Sequence, residues 1–267
     1  MNNLILPEKS SHWYWPDGRP CYELPMKTRP GEMRTPNVSD AKALGLLPSV
    51  TGILNMIHKP ALQNWIAVQH VLSALTLPRL EGESQDAFAR RVVQDARVEG
   101  QRAADFGTNV HALAEGYLNN NLPETLDAVE LSFLQGFMDW CQKHEVVMAE
   151  TERAFANVDE MYGGRLDFLG SIDGHMVVAD WKTQGTTPGK AMNFYPDWGP
   201  QLAAYKHGIS TTPEELKMVS VVISSTEPGR VEECWWEWGQ EPWCWEAFKA
   251  AKVIYYSPLG PGWKLVR

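Results

Sequence analysis

Closely spaced cysteines are missing from this chain. Its four cysteines, Cys21, Cys141, Cys234 and Cys244, include no Cys-x-x-Cys pair in 267 residues. That spacing gives little support to a zinc site, and reduced thiols in a cytosolic setting are the simplest reading. Long apolar runs are missing too, so no stretch reads as a membrane span. The opening MNNLILPEKSSHWYW lacks the basic stretch and long apolar run of a signal peptide. Positive charge is in deficit, with 24 Lys and Arg against 33 Asp and Glu and a formal net charge of −9. A protein coated in positive charge to hold nucleic acid over its whole surface is thereby excluded, while a local basic groove stays open. There is no internal repeat and no low-complexity tract.

What is present describes a packed globular protein, with 44% hydrophobic and 21% charged residues. Twelve tryptophans are many for this length; most suit core packing, and some suit stacking on bases. Residues 1 to 48 are rich in proline, glycine and charge, and read as irregular with a hairpin around Trp13 to Tyr22. A short helix is expected from Gly52 to His58. A second, opened by Pro60, carries an apolar stripe of Leu62, Trp65, Ile66, Val68, Leu72 and Leu75. Ser84 caps the next helix, which runs to about Asp105, where Gly107-Thr108 breaks it. Helices through His111 to Leu118 and from Leu126 to His144 follow. Then the period changes to that of strands: Val146 to Phe155, and a hairpin over residues 162 to 183. A helix from Gln201, strands Leu216 to Ser224 and Val231 to Trp238, and a helix from Pro242 to Tyr255 close the chain. This order predicts an α/β fold, a mixed central sheet flanked by helices.

The hairpin carries the chemistry. Asp173-Gly174 is a type I′ turn signal, and a two-residue loop there places Asp167 opposite Asp180 and Arg165 opposite Lys182. With period two, these four charged groups share one face, and Leu166, Phe168, Ala179 and Trp181 share the other. Like charges set opposite each other destabilise a sheet, so a hairpin built only for stability would avoid this pairing. A divalent cation between Asp167 and Asp180 removes the repulsion. Carboxylates suit Mg²⁺ or Mn²⁺, the backbone carbonyl of Trp181 offers another oxygen, and Lys182 would stabilise charge on a phosphate under attack. The alternative is a surface hairpin laced by ion pairs.

Other candidates are weaker alone. His111 either joins the metal or packs in its helix; Glu115, one turn on, either orients it or is solvated. One of Glu150 and Glu152 would add a carboxylate, with Glu152 preferred. Gln201 and Tyr205 share a helical face and either touch substrate or are ordinary half-buried polar residues. Arg79, Arg90, Arg91, Arg97 and Arg102 alternate with acids and read as a solvated face. Lys190 and Lys206 are candidate phosphate contacts.

Taken in order, Gly107-x3-His111, Glu152, Gly164-x2-Asp167, Asp180-x-Lys182 and Gln201-x3-Tyr205 resemble the RecB-like branch of the PD-(D/E)-x-K nucleases. Pro48-Ser49-Val50-Thr51-x-Ile53-Leu54 followed by Trp65 resembles the front of phage exonucleases of that type. The resemblance implies a restriction-endonuclease-like core over residues 105–267 and a mainly helical extension over 1–104. It implies a metal-dependent DNA exonuclease for recombination, repair or end processing, in the cytoplasm of a bacterial or phage-infected cell. Lys182, Asp167, Asp180 and Glu152 would be catalytic, and His111, Asp167, Asp180 and Trp181 would hold one or two Mg²⁺ or Mn²⁺ ions. Gln201, Tyr205 and Arg165 would meet DNA. A single-strand annealing or recombination protein is a candidate partner. An iron–sulfur cluster is not expected, because only Cys234 and Cys244 follow the core. Three rivals remain: an endonuclease or structure-specific nuclease with the same site, a non-catalytic binding module, and a hydrolase of small phosphates.

Overall fold

A computed structural model describes residues 12–26, 28–237 and 239–266. The expectations for the first eleven residues and for Trp238 lie outside these. In the front segment, Trp13–Tyr14 (β1), Leu24–Pro25 (β2) and Met33–Arg34 (β3) precede Val38–Leu44 (α1). Asn37 and Asp40 close a capping box on α1. The expected hairpin is present in outline, since Tyr14 bridges Pro20 and the Trp15 amide donates to the Arg19 carbonyl. Leu47–Pro48 (β4) then pairs with β1. Ser49 caps Val50–Leu54 (α2), shorter than the expected helix.

Pro60–Thr76 (α3) begins with proline in its first turn, as expected. Its apolar stripe does not enter the core. Trp65 is 39% exposed and Leu75 77%, and Ser73 is the buried residue of this helix. The helix contains no charged residue, so an all-round apolar character, and not an amphipathic pattern, produced the expectation. Gln85–Leu118 (α4) is capped by Ser84, whose hydroxyl accepts from the Ala87 amide. It runs through Gly107-Thr108 without the expected break, so the division at residue 104 falls inside a continuous helix. Gly107 is there for proximity: a Cβ at that position would stand 3.0 Å from Thr183 Oγ1.

Ala128–Lys143 (α5), with an Asp127–Glu130 capping box, leads into the sheet. Val147–Asn157 (β5), Tyr162–Ile172 (β6), His175–Gln184 (β7), Lys217–Ser224 (β8) and Val231–Trp236 (β9) lie in the order β5-β6-β7-β8-β9. All neighbours are antiparallel except β7 and β8. The parallel pair needs a crossover, supplied by Trp198–Ile209 (α6); Glu241–Tyr256 (α7) follows β9. This mixed sheet with helices on both faces is the predicted fold class. One apolar cluster joins α2, α6 and α7 to Phe155, Tyr162, Leu166, Val178 and Met218. The other joins α4 and α5 to Phe168, Val177, Ala179, Trp181 and Val221.

Candidate active site

The β6–β7 turn forms as the dipeptide dictates. Asp173 and Gly174 both hold positive φ, 51° and 74°, and Ile172 pairs with His175. The ladder runs in the expected register to Phe168 opposite Ala179 and stops there. Beyond that point the Asp167 carboxylate, not a backbone carbonyl, accepts the Trp181 amide, at 2.8 Å. Asp167 and Asp180 therefore face each other across a fork and not as a paired rung. The same fork interrupts the simple alternation of faces. Leu166 packs in the α6–α7 cluster, while Phe168, Ala179 and Trp181 pack in the other, which corrects the expectation that all four share one face.

Packing fixes the two reactive side chains beside Trp181. Its ring lies 5.1 Å from Phe137 and 5.4 Å from Phe168. Removing a buried side chain of this size costs about 3–5 kcal/mol, so the anchor is stiff. With Trp181 held on one face, Asp180 and Lys182 project on the other, towards α6. There Lys182 Nζ forms an ion pair with Asp180 and donates to Gln201 Oε1 at 3.0 Å. Gln201 Nε2 in turn donates to the Tyr205 hydroxyl at 2.8 Å. Gly164 makes room for this: a Cβ there would come within 2.9 Å of the Phe155 ring and 3.1 Å of the Tyr205 ring.

Asp180 is buried, and its Oδ2 is the oxygen that meets Lys182 Nζ. Burial pushes its pKa up to about 7; Lys182 pulls it down and Asp167 pushes it further up. His111, from α4, stands with Nδ1 3.6 Å from Asp167 Oδ2. Burial lowers its pKa, against Asp167, which raises it, and the neutral imidazole is the form that binds metals. Burial raises the Tyr205 pKa, helped by Asp180 and Asp167, so its hydroxyl stays protonated.

Glu152 and Glu150 part company. Glu152 sits at φ 49°, a left-handed conformation rare for a non-glycine residue. It forms an ion pair with Arg165 at 2.8 Å, and both line a 910 Å³ cavity with His111, Asp167 and Tyr205. Glu150 is exposed, pairs with Arg153 and is not part of that cavity. Residues two apart on a regular strand would share a face, and the left-handed backbone of Glu152 breaks that regularity. Glu115 lines the cavity. Lys206 does not: it is buried against Glu241 at 2.7 Å, so the expected phosphate contact is corrected to a buried ion pair. Lys190 is exposed on the loop after β7. The sequence reading missed Tyr22, whose hydroxyl accepts from Arg165 at 3.3 Å, and Thr183, both in the cavity wall. Nothing in the local sequence around Tyr22 signals that role.

Two neighbouring carboxylates, one of them buried, with an imidazole and a lysine beside them are a donor set for a divalent cation and an anionic substrate. The sequence also matches the profile of the PD-(D/E)XK nuclease superfamily over residues 84–241. The chain belongs to that superfamily. Its five-stranded mixed sheet, flanked by helices, is consistent with the restriction-endonuclease-like fold. Among solved structures, the crystal structure of SSO0001 is similar at 13% identity. The alignment covers 74% of this chain and 89% of that one, with a TM-score of 0.28. No curated protein matches this chain. As a PD-(D/E)XK nuclease it is a hydrolase of nucleic acid, and members of the superfamily typically use divalent metals. Among the described residues, no three His, Cys, Asp or Glu side chains converge closely enough to enclose an ion unaided. None of the described helices is long and apolar enough to cross a membrane. Cys21, Cys141, Cys234 and Cys244 form no disulfide with one another.

Proposed function

We propose that this chain is a metal-dependent DNA exonuclease of the RecB-like, phage exonuclease branch, acting in recombination, repair or end processing. The observation that carries the reading is the Asp167–Asp180–Lys182 cluster at the β6–β7 fork. The buried Asp180 carboxylate beside a second carboxylate, offset by one lysine, fits a divalent cation. Asp167 and Asp180 would hold it, and His111 and the Trp181 carbonyl would have to close on the ion to join them. Such an ion, when bound, lowers the pKa of a water and neutralises phosphate charge.

The chain's own groups do the rest. Lys182, fixed between Asp180 and Gln201, presents a preorganised positive charge to the phosphate oxygens as charge builds there. Gln201 and Tyr205 hold that ammonium in place and offer donors to the substrate backbone. Arg165, steadied by Glu152 and Tyr22, offers a second cation to a neighbouring phosphate. His12, Tyr14, Tyr22 and Thr35 of the front segment wall the cavity. A walled site supports action at a DNA end over action within a closed duplex.

The test uses linear duplex, single-stranded and closed circular DNA, with Mg²⁺, Mn²⁺ or EDTA, beside Lys182→Ala. Linear DNA is expected to be degraded only with metal, and at least about 100-fold more slowly by the variant. Cleavage of the circles would replace the exonuclease reading with the endonuclease one. Failure to cleave any substrate would overturn the proposal.

A further inference from the structure

A second cleft, of 1310 Å³, runs between the start of α3, the middle of α4 and the loop after β7. It exceeds the roughly 300–1,000 Å³ of a small-molecule site. Trp65, Phe106, Tyr195 and Trp198 line it, with Lys182 in the wall. Trp65 is 39% exposed, and Tyr195 and Trp198 are half-buried, edge-to-face at 5.1 Å. None of these three belongs to the two apolar clusters that flank the main sheet. The loop bearing Tyr195 is tied to the rest of the fold: Gln184 Nε2 donates to the Asn193 carbonyl at 2.9 Å, and Lys59 pairs with Asp197 at 3.6 Å.

We infer that this cleft is a stacking subsite for unpaired bases of a single strand whose scissile phosphate lies at Lys182. The identity of the polymer rests on the nuclease reading above. Aromatic side chains hold bases through their π-faces, whichever the base. In a duplex those faces are covered by neighbouring pairs, so the cleft favours unpaired strand. Thr183 lines both this cleft and the acidic cavity, and Lys182 adjoins it, so the base-holding and phosphate-cleaving surfaces are continuous.

The test reads binding without cleavage. A single-stranded oligonucleotide carrying 2-aminopurine, whose fluorescence responds to stacking, is titrated with wild-type protein in EDTA. Trp65→Ala, Trp65→Phe and Tyr195→Ala are titrated beside it, with circular dichroism to confirm that each is folded. The wild type should change the fluorescence. Either alanine variant should bind about 5- to 100-fold more weakly, and Trp65→Phe should recover most of the loss. A blunt duplex with an internal 2-aminopurine should give no such response. An unchanged signal with wild type, wild-type affinity in both folded alanine variants, or an equal response from the duplex would overturn the subsite. Metal-dependent cleavage without the stacking signal sinks only the subsite. The stacking signal without cleavage by any metal sinks only the nuclease reading.

Discussion

At the scale of single residues, Asp180 is where stability and chemistry oppose each other. A carboxylate buried next to another carboxylate costs folding free energy, and one lysine offsets only part of it. The pKa is raised on folding, from 3.8 to about 7. The native state therefore binds more protons than the unfolded chain between those values, and stability falls as pH rises through that window. Metal-free wild type should lose melting temperature from about pH 4 to pH 7, and Asp180→Asn should lose less over the same range. The variant should also cleave at least about 100-fold more slowly. Thermal melts in EDTA at several pH values check the first statement, and a parallel slope in both proteins would remove Asp180 as its source. Gain of stability with loss of activity is the signature of a functional group held at structural cost.

At the scale of elements, the union of α4 with β7 sets the position of His111. Alanine normally stabilises a helix interior over glycine by roughly 0.5–1 kcal/mol. At Gly107 the added Cβ would press on Thr183 Oγ1 at 3.0 Å, which opposes that gain. Gly107→Ala alone should change stability little. In a Thr183→Ala background it should raise the melting temperature by about 2–4 °C. Equal shifts in both backgrounds would show that the contact carries no energy. The same elements show what was legible beforehand. The hairpin register could be read because a positive-φ dipeptide and an alternating pattern both fixed it. Ser84 and Pro60 could be read as helix starts because caps are local chemistry. The continuity of α4 through Gly107 could not, because close approach to Thr183, 76 positions away in sequence, explains that glycine. The left-handed backbone of Glu152 and the burial of Lys206 were hidden likewise, each depending on partners far away in sequence. For the candidate site, residue identity was legible and pairing was not: nothing local says that Gln201 would hold Lys182 or that Arg165 would hold Glu152.

At the scale of the whole molecule, the net charge of −9 and the placement of cations together bound how DNA is held. The lysines and arginines lining the two cavities are Lys59, Arg102, Arg165 and Lys182. Each already has an acidic partner: Asp197, Glu99, Glu152 and Asp180 respectively. Paired cations release fewer counterions from DNA than free ones, and the net negative charge of the chain repels phosphate. Binding affinity then depends on salt through few contacts. For a single strand the logarithm of affinity falls by about 0.7 per phosphate neutralised for each tenfold rise in salt. Four contacts set a limit near −3 for that slope, and competition from the acidic partners makes it shallower. Stacking in the aromatic cleft, which is far less sensitive to salt, would carry the rest of the affinity. Measuring single-strand binding in EDTA from 50 to 300 mM salt should give a slope between about −1 and −3. A slope steeper than about −5 would require a basic surface outside the two cavities and would move the main DNA contact away from the β6–β7 fork.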